Sequence, residues 1–131
     1  MAAIENRDDV FKLVNAFYAK VRTDEVLGPI FNRFIAKDDW PAHLNKLSDF
    51  WETQLFQIPK FKGNPTLKHW MVDQSEPKGI SETHFQRWLA LWFETIDGMY
   101  EGEKANRAKQ RSQQMAIGQF SQIMRFREAA G

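Results

Sequence analysis

Cysteine is absent from the chain, which excludes disulfide frameworks, cysteine nucleophiles and thiolate metal sites. Neither sign of charge is in excess. The 18 Lys and Arg face 17 Asp and Glu, and a net charge of +1 gives no general attraction to nucleic acid or to an anionic membrane. No stretch approaches the ~18 uninterrupted apolar residues of a spanning helix. The segment MAAIENRDDV also lacks the basic and apolar regions of a signal peptide. Glycine is sparse and never adjacent to another glycine, and there is no P-loop, G-x-S-x-G or dinucleotide fingerprint. The expectation is a soluble cytoplasmic protein without nucleic-acid or membrane partners.

What the chain has in quantity is rings. With 11 Phe and 5 Trp in 131 residues, it can bury a substantial core as one domain, residues 1–131. Between Asp8 and Val21 the apolar residues Val10, Phe11, Leu13, Val14, Phe17, Tyr18 and Val21 follow helical spacing, with Asp8 or Asp9 as the expected cap. Gly28 and Pro29 break that helix, and Pro29 can start a short turn carrying Phe31 and Phe34. A further helix is predicted after Asp38 or Asp39, with Pro41 in its first turn and Leu44, Leu47, Phe50, Trp51 and Leu55 along it. His43 shares the face of Leu47 and Phe50.

The run QIPKFKGN reads as a loop, and Asn64 and Pro65 restart the chain as a short helix to about Val72 that holds His69 in its second turn. DQSEPKGI is another loop. Ser81 then caps a helix carrying Phe85, Trp88, Leu89, Leu91, Trp92, Phe93, Ile96, Met99 and Tyr100, apolar over more than one stripe. The last helix, about Lys104 to Glu128, is polar on most faces of its first half and apolar at Met115, Ala116, Ile117, Phe120, Ile123 and Met124. No strand and no repeat is evident, so the fold class is all-α, with five or six helices.

His43, His69 and His84 are the only imidazoles, and none is spaced as a helical zinc pair. A lone histidine on an apolar helix face is more often a hydrogen-bonded core residue than a ligand, and Tyr18 and Trp88 carry the same bland reading. Taken jointly, isolated histidines among many rings, with a Tyr and a Trp able to donate, suit a flat apolar cofactor holding one metal. Composition permits that without requiring it. A helical interaction module with these side chains in its core remains the competing reading.

The blocks FYAKVRTDEVLGPIF, DDWPAHLNKLSDFW, KGNPTLKH and HFQRWLALWFETID, in this order and spacing, resemble the group III truncated haemoglobins over roughly Phe11 to Phe120. The absence of Gly-Gly pairs agrees, because the other two groups of that family tend to carry them. The resemblance implies a truncated globin, a two-over-two helical sandwich enclosing haem b. It places His69 as the proximal ligand of the iron, Tyr18 and Trp88 as distal donors and His43 at the distal histidine position. Phe31, Leu47, Phe50, Trp51 and Trp88 would line the cofactor. His84 receives no ligand role and is expected at the surface or near a propionate.

The resemblance also implies tight binding of oxygen and related diatomics. Redox chemistry on the bound ligand, of a nitric oxide dioxygenase-like or peroxidase-like kind, is then favoured over transport. No flavin or nicotinamide domain is attached, so turnover would need an external electron donor. A monomer is expected, and a haem-based sensor without turnover is the alternative.

Overall fold

The first helix starts two or three residues before its acidic residues suggest. In the computed structural model, which describes residues 2–57 and 81–130 (119–130 by backbone only), α1 spans Arg7–Thr23. Its cap is Asn6, whose extended backbone lets Oδ1 accept the Asp9 N–H at 3.0 Å. Asp8 and Asp9 lie inside the first turn, where their charge favours the helix N-terminus. Asp9 also accepts the N–H of Glu5 at 2.8 Å.

Val10, Leu13, Val14, Phe17, Tyr18 and Val21 make the buried face of α1, and Phe11, one step off that stripe, is 39% exposed. Arg7 ties the start of α1 to α3 (Trp40–Phe56) through Asp49 at 2.6 Å and Glu52 at 3.2 Å.

At the other end, Asp24 gathers the N–H groups of Val26 and Leu27, each at 3.0 Å, and turns the chain into α2 (Gly28–Phe34). Gly28 is required here by close approach: a Cβ would lie 2.8 Å from the Arg22 carbonyl oxygen. Asn32 donates to the same carbonyl at 3.0 Å, so α2 is fastened to the last turn of α1.

A short 3-10 turn, Lys37–Asp39, leads directly into α3. Pro41 sits in the first turn as its missing N–H predicts, but neither Asp38 nor Asp39 caps with its side chain. Asp39 is already in a helical conformation, and the start of α3 is anchored by burial of Trp40, 2% exposed.

Beyond the described gap, α4 (Glu82–Met99) buries Leu91, Trp92, Thr95 and Ile96, and Gly102, at φ +102°, turns the chain into α5 (Glu103–Ala130). The polar first half of α5 packs through Ala105, Ala108, Ser112 and Ala116, small residues three or four apart that let it approach α4 closely. The Trp92 indole N–H donates to the Ala108 carbonyl at 3.4 Å. Arg111 reaches Gln54 on α3 at 3.1 Å.

Two helix pairs result. α1 lies against α3 and α4 against α5, while α1–α4 and α3–α5 contacts join the layers, giving the two-over-two sandwich. Phe17 fills the crossing, edge-on to Trp92 at 4.8 Å and to Trp88 at 5.1 Å, and Trp92 stacks on Trp51 at 4.8 Å. Among the described residues no helix is long and apolar enough to cross a membrane.

The helix expected over Pro65 to Val72, and the residues of both flanking loops from Ile58 to Ile80, lie outside the described residues, as do the side chains of Phe120, Ile123 and Met124.

Gly28→Ala is expected to destabilise the protein by about 1–3 kcal/mol, since the clash is with backbone that cannot swing aside. Urea unfolding would show it as a lower midpoint at unchanged slope.

Candidate functional site

Adjacent residues on α1 face different surroundings. Phe17 belongs to the core, while Tyr18, one step round the helix, meets Phe31 of α2 at 5.9 Å, Trp40 of α3 at 5.9 Å and His43 of α3 at 6.3 Å. From α4, Trp88 comes close enough to the Tyr18 hydroxyl for its indole N–H to act on that oxygen as a donor. Tyr18, His43 and Trp88, separated by up to 70 positions in the chain, are thus brought together.

Burial pushes the Tyr18 phenol up from 10.0 to about 12, and the Trp88 hydrogen bond works weakly against that. The hydroxyl is therefore neutral at physiological pH. Its oxygen feels the Trp88 donor, and its own O–H can donate.

Phe31, which lies beside Tyr18, and Leu44, Leu47, Phe50 and Trp88 are apolar side chains only partly covered and packed on the core. Trp51 sits deeper, 2% exposed and stacked on Trp92. Of the residues expected at a site, His69 lies outside the described residues. Among the described residues no group of three His, Asp or Glu could hold a metal ion.

His84 has local work. Its Nδ1 accepts the Ser81 N–H at 2.8 Å, which satisfies a backbone donor at the start of α4 and leaves any ring proton on Nε2. Arg87, next to Trp88, bonds Asp24 through Nε at 2.8 Å and Nη2 at 2.5 Å. That pairing, with help from the Val26 and Leu27 N–H groups, holds the Asp24 carboxyl below its ordinary range. It also fixes α4 on the α1–α2 corner and with it the position of Trp88.

Sequence reasoning passed over Trp40 and Arg22. Trp40 lies edge-on to His43 at 5.5 Å, and the Arg22 guanidinium sits 4.6 Å from the Trp40 ring centroid. The signal was present: Trp40 precedes His43 by three residues and Arg22 follows Tyr18 by four, so each shares a helix face with a site residue.

This sandwich, with a tyrosine, a histidine and a tryptophan meeting under half-buried rings, defines a globin of the truncated class. No family model matches the sequence. The chain is 34% identical over 113 residues, 85% of each sequence, to group 3 truncated hemoglobin ctb of Campylobacter jejuni. It also matches the crystal structure of group III truncated hemoglobin from Campylobacter jejuni with a TM-score of 0.82 at 32% identity, covering 94% of this chain and 95% of that one. The chain belongs to the group III truncated haemoglobin family.

A phenol whose folded-state pKa is raised from 10.0 to about 12 contributes stability that is complete below pH 10 and is lost as pH climbs through about 12. An ultraviolet titration of the folded protein should show a tyrosinate step near that upper value. Tyr18→Phe should abolish that step and leave the transition of Tyr100.

Proposed function

We propose that the chain binds haem b with His69 as the iron ligand, holds oxygen tightly with the help of Tyr18, and carries out redox chemistry on the bound ligand. The observation that carries this reading is the neutral Tyr18 hydroxyl, buried where Trp88, His43 and Trp40 meet.

The residues present fit such a group. A macrocycle needs apolar, partly open walls, and Phe31, Leu47, Phe50 and Trp88 supply half-buried surface next to the polar centre, with Trp51 supporting them from the core. A ligand gaining negative charge needs neutral donors, which are Tyr18 O–H and Trp88 N–H. When bound, ferrous haem supplies the electron density that makes a diatomic ligand a stronger acceptor.

The two donors are arranged in series. The Trp88 N–H acts on the Tyr18 oxygen, which polarises the phenol and strengthens the bond its proton makes to a ligand. A hydrogen bond to a partly charged acceptor contributes about 1.5–3 kcal/mol, or roughly ten- to hundredfold in the rate of release. Slow release suits chemistry on the ligand better than carriage, and nitric oxide or peroxide is the co-substrate we favour. His43, half-buried beside Tyr18, acts as the gate through which these small molecules reach it.

We take the working unit to be a cytoplasmic monomer whose cycle is completed by a separate reductase.

Purified protein should show a Soret band, with a five-coordinate ferrous form that is lost or altered in His69→Ala. A folded protein that stays colourless after haem reconstitution would refute the reading. In stopped-flow measurements, Tyr18→Phe should accelerate oxygen dissociation about ten- to hundredfold. Trp88→Phe should do so by less, because it removes only the polarising bond.

A further inference from the structure

Trp40 occupies the place where the two polar arms of the site meet. It is the first residue of α3, 2% exposed, and its indole lies 5.9 Å from the Tyr18 ring and 5.5 Å from the His43 imidazole, edge-on to the latter at 84°. On α1, Tyr18 and Arg22 are one turn apart, and both reach this same indole.

The Arg22 guanidinium stands 4.6 Å from the Trp40 centroid, within range for attraction between a cation and a ring face. The backbone from which it extends is fixed, because the Arg22 carbonyl accepts from Asn32 at 3.0 Å and lies close to Gly28, where a Cβ would come within 2.8 Å of it.

We propose that Arg22 and Trp40 form a clamp that holds the His43 imidazole inside the site and so sets the rate at which diatomic ligands enter. This rests on the haem-binding reading above and adds to it the residues that control the gate. Both are positioning residues, acting on the ligand through His43. The α3 start has no side-chain cap to fix its first turn, so the orientation of Trp40, and of His43 one turn later, depends on what packs against the indole. Fixed between the Tyr18 ring and the Arg22 cation, the indole presents its edge or face to the imidazole in one way only. Loss of either partner frees the indole to turn and changes the surface it offers to the imidazole.

The test is carbon monoxide rebinding to the ferrous holoprotein after flash photolysis, with the C–O stretching band of the adduct as a report on the polarity around the ligand. Trp40→Leu and Arg22→Gln should each speed association about three- to tenfold and redistribute the C–O bands. Trp40→Phe, which keeps a ring, and Arg22→Lys, which keeps a cation, should stay closer to the native rate. In a His43→Leu background all four changes should have no further effect, because the clamp then holds nothing.

Equal effects with and without His43 would overturn the proposal, since Trp40 would then act through Tyr18 or the fold at large. Native rates in Arg22→Gln, or identical behaviour of Arg22→Lys and Arg22→Gln, would overturn the part played by the cation. A second readout needs no haem: the His43 imidazole proton shifts in the folded protein, which carry the ring current of Trp40, should move in Arg22→Gln and stay nearer native in Arg22→Lys. Unchanged shifts would overturn the clamp. Absence of a Soret band would instead refute the haem reading, leaving the imidazole shifts to decide the contact.

Discussion

Phe17 lies against three rings at once: Tyr18 at 4.7 Å, Trp92 at 4.8 Å and Trp88 at 5.1 Å, all close to edge-on. This packing joins the two layers of the sandwich at the point where α1 crosses α4, and the position of every site residue follows from it. Trp88 can reach the Tyr18 hydroxyl only because Phe17 sets the spacing between their helices. Edge-to-face pairs are directional as well as apolar, so they define an angle between helices that aliphatic packing would leave looser. Trp51, stacked on Trp92 at 4.8 Å, extends the same ring cluster to α3.

From that crossing, order spreads outward through polar ties at the helix ends. Asp24 collects two backbone N–H groups and the Arg87 side chain, so the corner between α1 and α2 and the N-terminal half of α4 are held by one carboxylate. Arg7 does comparable work at the opposite end of α1, reaching Asp49 and Glu52 of α3. The Arg87 and Arg7 side chains are solvent-accessible, and such pairs add little to stability on their own. Their contribution is registry. They hold helices whose contact faces are rings at the rotation that brings Tyr18, His43 and Trp88 together.

The electrostatics of the site follow from burial more than from charge. Desolvation is the main influence on the Tyr18 phenol and keeps it neutral. A neutral donor of this kind stabilises charge that develops on a bound ligand without opposing an uncharged one, which suits selection among diatomics. The Arg22 cation is set against the Trp40 ring.

Much of this was legible in order along the chain. The buried stripe of α1, the break at Gly28 and Pro29, the first-turn Pro41 and the cap at Ser81 each rest on local backbone chemistry, which sequence carries directly. The blocks around Tyr18, His43 and Trp88 were enough to suggest the family to which the chain belongs. The helix starts were less legible where several polar residues compete: Asn6 and not Asp8 or Asp9 caps α1, and α3 begins from a 3-10 turn with no capping side chain. Other features belong to the tertiary structure alone. The sequence by itself determined which residues face inward on each helix, because that depends on a period of 3.6. Only the packing of the helices decided that Trp88 comes up to the Tyr18 hydroxyl and that Trp40 lies between Arg22 and His43, because each depends on the angle at which distant helices cross.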